Sequence, residues 1–249
     1  MRSLPWLLLL LPQVPGQAAR ERPPLERPGL LELSLPERGG VRAEHFQLSL
    51  PGAPGEPVGA SRLLRVEDQE ERRLEWETRF FDAPVRVLHS ERLEPDSLDL
   101  VWRELGEGGG RTVRVAFDQS SNALAVNDVG GPAARHRELE LGEGAFAPLF
   151  LLEQDRAGRL SPGDFRRVDA NAGALESVRL ASGPAPAPWL AGGRISTWTR
   201  PDGTLAGRYL FHGDRLLAFQ LQEGGPVATA IGPGEYDALL ARAGVRQTR

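Results

Sequence analysis

From Arg62 onward, apolar and charged residues alternate with a period of two, which restricts the chain to strands with one dry face. In RRLEWETRFF, Leu74, Trp76, Thr78 and Phe80 fall on one side, and Glu75, Glu77 and Arg79 on the other. Successive side chains of a strand point to opposite faces, so this is a half-buried strand. SLDLVWREL repeats the device with Leu98, Leu100 and Trp102 against Asp99 and Arg103, and RTVRVAFD groups Val113, Val115 and Phe117. NALAVNDV and HRELEL are shorter examples, and Glu44–Leu50 carries Phe46, Leu48 and Leu50 on one face. Antiparallel sheets keep one face wet and one dry. The expected fold is mainly β: a curved antiparallel meander, half-barrel or open barrel, with one inserted short helix and a C-terminal helix.

Two stretches break the alternation. Ala145–Arg156 (AFAPLFLLEQDR) has Phe146, Leu149, Phe150 and Leu152 at helical spacing, with Pro148 in the first turn, where proline is tolerated. Pro233–Ala243 reads as the second helix, with Tyr236, Leu239 and Leu240 toward the sheet. Between them lie strands at Asp164–Asp169 and Leu175–Leu180, then an Ala/Pro loop at Gly183–Pro188. A hairpin follows, RISTWTR and TLAGRYLF joined by Pro201-Asp202-Gly203, where proline presets φ and glycine supplies a positive one. His212-Gly213-Asp214 reverses the chain into RLLAFQLQ, and Val227–Ile231 is the last strand. Pro51–Gly59 (PGAPGEPVG) reads as a loop by composition.

The N-terminus has its own logic. Arg2, the apolar run Leu7–Leu11, prolines 12 and 15, and small residues at Gly16 and Ala18 match a secretory signal cleaved after Ala18. The apolar stretch is roughly half the ~20 residues that cross a bilayer. Residues 19–43 read as a Pro/Arg-rich arm with a short strand at Leu30–Leu35, and residues 44–245 as a single β-rich domain. Absence of cysteine excludes disulfides and lipid attachment through a cysteine, so burial alone must hold the domain together. All 30 basic residues are arginine, which excludes lysine Schiff-base chemistry and a P-loop lysine. A net charge of −4 with intermixed signs gives no basic face for nucleic acid.

Catalytic and metal constellations are missing from the sequence. His45, His89, His136 and His212 share no ligand spacing, and no serine lies in G-x-S-x-G. Glu67, Asp68, Glu70 and Glu71 lack the spacing and glycine of a calcium loop and read as a solvated strand end. Gly106–Gly110 falls between two strands and reads as a hairpin. The expectation is no enzyme, no cofactor and no metal. The aromatic residues at inward positions, Trp76, Phe80, Trp102, Phe117, Trp198 and Tyr209, either fill an ordinary core or line a concave face that receives an apolar ligand.

The signal-like N-terminus, the antiparallel strands with one inserted helix, and the run GTLAGRYLFHGDRLLAFQLQEG resemble uncharacterised exported bacterial proteins with a lipoprotein-carrier-like half-barrel, over roughly residues 62–243. That resemblance implies a concave sheet closed by helices and holding acyl chains, although no carrier functional residue maps onto a position here. The resulting expectation is a periplasmic or extracellular monomer that binds an apolar or lipid-like ligand, with lipid or lipoprotein as partner and no membrane segment after signal cleavage. The alternative is a structural or interaction domain of the cell envelope with a filled core.

Overall fold

The computed structural model describes residues 40–243, apart from 54, 68–71, 84, 95–96, 107–108, 119–122, 132–134, 141–144 and 186–191. The expected signal, most of the arm and the strand at Leu30–Leu35 lie outside the described residues. The first half of the described chain forms β1 (Gly40–Ser49), β2 (Pro57–Glu67), β3 (Arg72–Phe80), β4 (Arg86–Glu94), β5 (Ser97–Gly106), β6 (Gly109–Asp118), β7 (Ala123–Val129) and β8 (Arg135–Glu140). After α1 (Pro148–Arg156) come β9 (Gly163–Asp169), β10 (Ala174–Pro184), β11 (Gly193–Thr199), β12 (Leu205–His212), β13 (Arg215–Gln220), β14 (Val227–Ile231) and α2 (Pro233–Arg242).

These strands make one curved antiparallel sheet in the order β8-β7-β6-β5-β4-β3-β2-β1-β14-β13-β12-β11-β10-β9. Two meanders meet where β1 pairs with β14, His45 opposite Ile231 and Phe46 opposite Ala230. The sheet does not close into a barrel, for β8 and β9 remain its two edges. The seam is held by side chains. Arg137 of β8 donates to the carbonyls of Ala172 and Gly173 in the turn after β9, and Arg111 of β6 donates to Asn171 Oδ1 at 3.1 Å. Gly173 has φ +56°, and a Cβ there would lie 2.7 Å from Val126, so this turn fits against β7 only as glycine.

Several sequence expectations shift. The loop expected at Pro51–Gly59 is shorter, since Pro57 opens β2, a strand position where its missing N–H is tolerated. Gly183 and Pro184 belong to β10, paired with Ile195 and Arg194, rather than to the Ala/Pro loop. Phe146 is not helical: it pairs in parallel with Arg167, its N–H donating to the Arg166 carbonyl at 2.9 Å, and so covers part of the β9 edge. β4 escaped the alternation pattern because His89 and Glu91 occupy inward positions among Val87 and Leu93, opposite Trp76 and Leu74.

The reason for Glu91 is α1. This helix lies in the concave interior, with Leu149, Phe150, Leu151 and Leu152 at most 5% exposed. Glu153, Gln154 and Asp155 are buried as well, so the helix is covered all round. Its N-cap, Ala147, has no side chain to accept the first amides. Glu91, fully buried, reaches across from β4 instead: Oε1 accepts from Leu149 N at 2.7 Å and Oε2 from Phe150 N at 3.0 Å. At the other end, Arg194 of β11 donates to Asp155 Oδ1 at 2.6 Å and to the Asp155 carbonyl. An anion at the N-terminus and a cation at the C-terminus also complement the helix dipole. Gly158, at φ +69°, ends the helix by turning its N–H onto the Asp155 carbonyl. The second helix, α2, packs on the convex face, burying Tyr236, Leu239 and Leu240 against Ala60 of β2, with His45 and Tyr236 rings 4.7 Å apart.

Glu91→Ala leaves two buried amide donors without a partner, and each such group costs about 1–3 kcal/mol. A urea melt is expected to show a loss of about 2–5 kcal/mol, with Glu91→Gln losing less because its amide oxygen still accepts. A loss under about 0.5 kcal/mol for the alanine variant would mean that the cap does not hold the helix.

Candidate functional site

The concave face gathers the six inward aromatic residues expected from the sequence. Trp76, Trp102, Phe117, Trp198 and Tyr209 are buried in one apolar core, and Phe80 is half-buried against it. Trp76 stands edge-on to Phe219 at 4.5 Å, Trp198 lies 5.4 Å from Phe165, and Tyr209 stacks on Phe211 at 6.2 Å. Two of the polar handles are bonded inside the fold: Trp76 Nε1 donates to Ser61 Oγ at 2.7 Å and Trp198 Nε1 to Asp155 Oδ2 at 3.1 Å. Burial pushes the Tyr209 phenol up to about 12. Leu149, Phe150, Leu151 and Leu152 of α1 belong to the same buried core.

Open volume lies at the end of the concave face, beside the last turn of α1. A cavity of about 890 Å³ is formed by the ends of β1, β2, β13 and β14, the last turn of α1 and the first turn of α2. That volume falls within the range of small-molecule sites. Leu63, Leu216, Ala230 and Ile231 give it an apolar floor, and Leu63 sits directly opposite Trp76 in the β2–β3 ladder. Its described lining includes none of the six aromatic residues. The sequence reading missed the residues that do line it. Their signal is charge on the dry face of an alternating strand: Leu63, Arg65 and Glu67 share one side of β2, as Arg42, Glu44 and Phe46 share one side of β1.

Charge in this region is organised around α1. Arg65 Nη1 donates to Glu153 Oε2 at 3.0 Å and Arg65 Nη2 to Glu67 Oε2 at 2.8 Å. Arg156 pairs with Glu44 and lies 3.1 Å from Glu153 Oε1. Glu67, expected as a solvated strand end, is instead 8% exposed, because its alternation phase turns it inward toward Arg65. Asp155 accepts from Ser196 Oγ at 2.8 Å as well as from Arg194 and Trp198. Among the described residues no group of three His, Cys, Asp or Glu is placed to hold a metal ion.

With this geometry in view, comparison with known proteins adds the fold alone. No family model matches the chain, and no curated protein matches it. A solved structure does: the crystal structure of a beta-barrel-like protein of a domain of unknown function, DUF1849, from Brucella abortus. The two share 12% sequence identity with a TM-score of 0.50, over 78% of this chain and 97% of that one. The open, curved sheet therefore recurs in a bacterial protein with little sequence in common. Among the described residues no helix is long and apolar enough to cross a membrane.

Two buried carboxylates titrate in opposite senses. Burial pushes the Glu153 carboxyl above its ordinary value, and the charges of Arg156 and Arg65 offset this only in part. The stability Glu153 contributes is therefore complete below its unfolded-state value and is lost as pH rises through the folded one. At Glu77 burial also pushes upward, but the hydrogen bond from Arg79 and the charges of Arg79, Arg86 and Arg62 hold the group below its ordinary value. Its contribution is present above the unfolded value and lost as pH falls through the folded one. Glu153→Gln keeps the neutral form at every pH, so its stability relative to the parent is expected to improve as pH rises from 4 to 8. Melts across that range check this; a difference that is constant, or that grows less favourable with pH, contradicts it.

Proposed function

We propose that this chain is a binding protein for an apolar or lipid-like ligand, exported to the periplasm or beyond, and not an enzyme. The observation that carries the reading is the cavity at the end of the concave sheet, whose apolar floor is continuous with an aromatic core. Leu63 and Leu216 belong to the same buried cluster as Trp76 and Phe219, so an acyl chain laid on the floor meets the end of that core. The signal-like N-terminus and the resemblance to lipoprotein-carrier-like half-barrels support export and a lipid or lipoprotein partner. The ligand sits at the mouth, with α1 retained in the interior. Trp102, Trp198 and Tyr209 then serve as the packed wall behind it.

A second reading has an observation in its favour: the aromatic face is filled by α1, as in a structural or interaction domain of the envelope. Titration with a fluorescent fatty acid separates the two. The parent protein is expected to bind saturably at one site. Ala230→Trp, which puts an indole into the cavity, is expected to lower affinity more than about tenfold while the melting curve is retained. Trp102→Ala removes a large buried side chain and is expected to cost about 3–5 kcal/mol of stability. Absence of saturable binding by the parent would return the chain to the filled-core reading.

A further inference from the structure

The charges around the cavity are not balanced. Of the acids that line it, Glu44 is held by Arg156, and Glu153 by Arg65 and Arg156. Glu235 is turned back onto its own helix, accepting from Gly232 N at 2.9 Å, and Asp214 is also engaged. Two arginines of the same lining, Arg42 on β1 and Arg215 at the start of β13, are exposed, and their side chains make no hydrogen bond or ion pair among the described residues. Arg42 is directly opposite Arg65 in the β1–β2 ladder, but the two glutamates beside Arg65 are engaged by Arg65 itself and leave Arg42 without an acid of its own. Both arginines border the cavity that Leu63 and Leu216 also line, and neither side chain has an acid as partner.

Resting on the binding reading above, we infer that the cavity takes a single-chain amphiphile with an anionic head, carboxylate or phosphate. Its tail lies on Leu63, Leu216 and Ala230, and its head lies between Arg42 and Arg215. Guanidinium groups suit this task because their planar fork matches the oxygens of a carboxylate or phosphate. A cationic head is disfavoured, since Glu44 and Glu153 are already neutralised by Arg156 and Arg65.

Calorimetric titration of the full chain with four probes tests the inference: dodecanoate and dodecyl phosphate below their micelle concentrations, dodecanol below its solubility limit, and inorganic phosphate. The two anionic amphiphiles are expected to bind about tenfold or more tighter than dodecanol, and the difference to shrink as salt rises from 0.05 to 0.5 M. Arg42→Gln combined with Arg215→Gln is expected to bring the anions down to the dodecanol affinity without moving dodecanol itself. Arg114→Gln, which removes a convex-face partner of Asp99, is expected to change neither. Equal affinity for dodecanoate and dodecanol, or an unaffected double variant, overturns the anionic head while leaving lipid binding intact. Inorganic phosphate binding as tightly as dodecyl phosphate overturns the tail and makes the site one for a free anion. If no alkyl probe binds, the lipid-binding reading itself falls and the inference with it.

Discussion

The fold rests on how the two ends of one buried helix are satisfied. A nine-residue helix rises about 13 Å and leaves unpaired amides at one end and unpaired carbonyls at the other. Buried inside a sheet, those groups cannot turn to water, and leaving them bare is expensive. Here the partners come from opposite walls: Glu91 of β4 takes the first amides, and Arg194 of β11 takes the last turn. β3, β2, β1, β14, β13 and β12 lie between those walls in the sheet order. The helix thus ties together strands that never pair, and the sheet curls around it without closing. Chain connectivity agrees, because the segment that leaves β8 crosses the interior as α1 and returns as β9, so the two open edges are the strands flanking the helix.

Much of the sheet was legible in the sequence, and the reason is mechanical. A strand with one wet and one dry face must alternate, so β3, β5 and β6 announce themselves, and Trp76, Trp102 and Phe117 fall on the dry side as their positions require. Legibility failed wherever the interior needed a charge. Glu67 reads as part of a solvated strand end, and Glu91 and Arg65 carry no signal of burial, because periodicity assumes that the dry face is apolar. Only knowledge that a helix lies against that face explains why a carboxylate belongs there. The run LFLLEQDR showed the same ambiguity: a helix was evident, whereas burial of Glu153 and Asp155 was not, since their partners Arg65, Arg194 and Ser196 are far away in the chain.

The same arrangement limits what the concave face can do. With Leu149 to Leu152 in the same core, the aromatic wall is packing, and the cavity of about 890 Å³ lies at the end where α1 stops. At that end Arg65, Glu67 and Glu44 occupy inward strand positions beside Glu153 and Arg156 of α1. A site made of an apolar floor and an ionic rim follows from the geometry of a short strut in a wide half-barrel. The distant likeness to the DUF1849 structure from Brucella abortus concerns the sheet and leaves this local chemistry as a property of the present chain.

Hydrogen–deuterium exchange on the full chain, free and with saturating dodecanoate, tests the central claim most directly, because it reads the helix and the cavity together. The account predicts that the Leu149–Leu152 amides are as protected as the central strands in both states, and that dodecanoate adds protection only at the strand ends around Ala230 and Leu216. Loss of protection across α1 on adding the ligand would contradict it, for the helix would then be a lid displaced from the aromatic face rather than a fixed part of the interior.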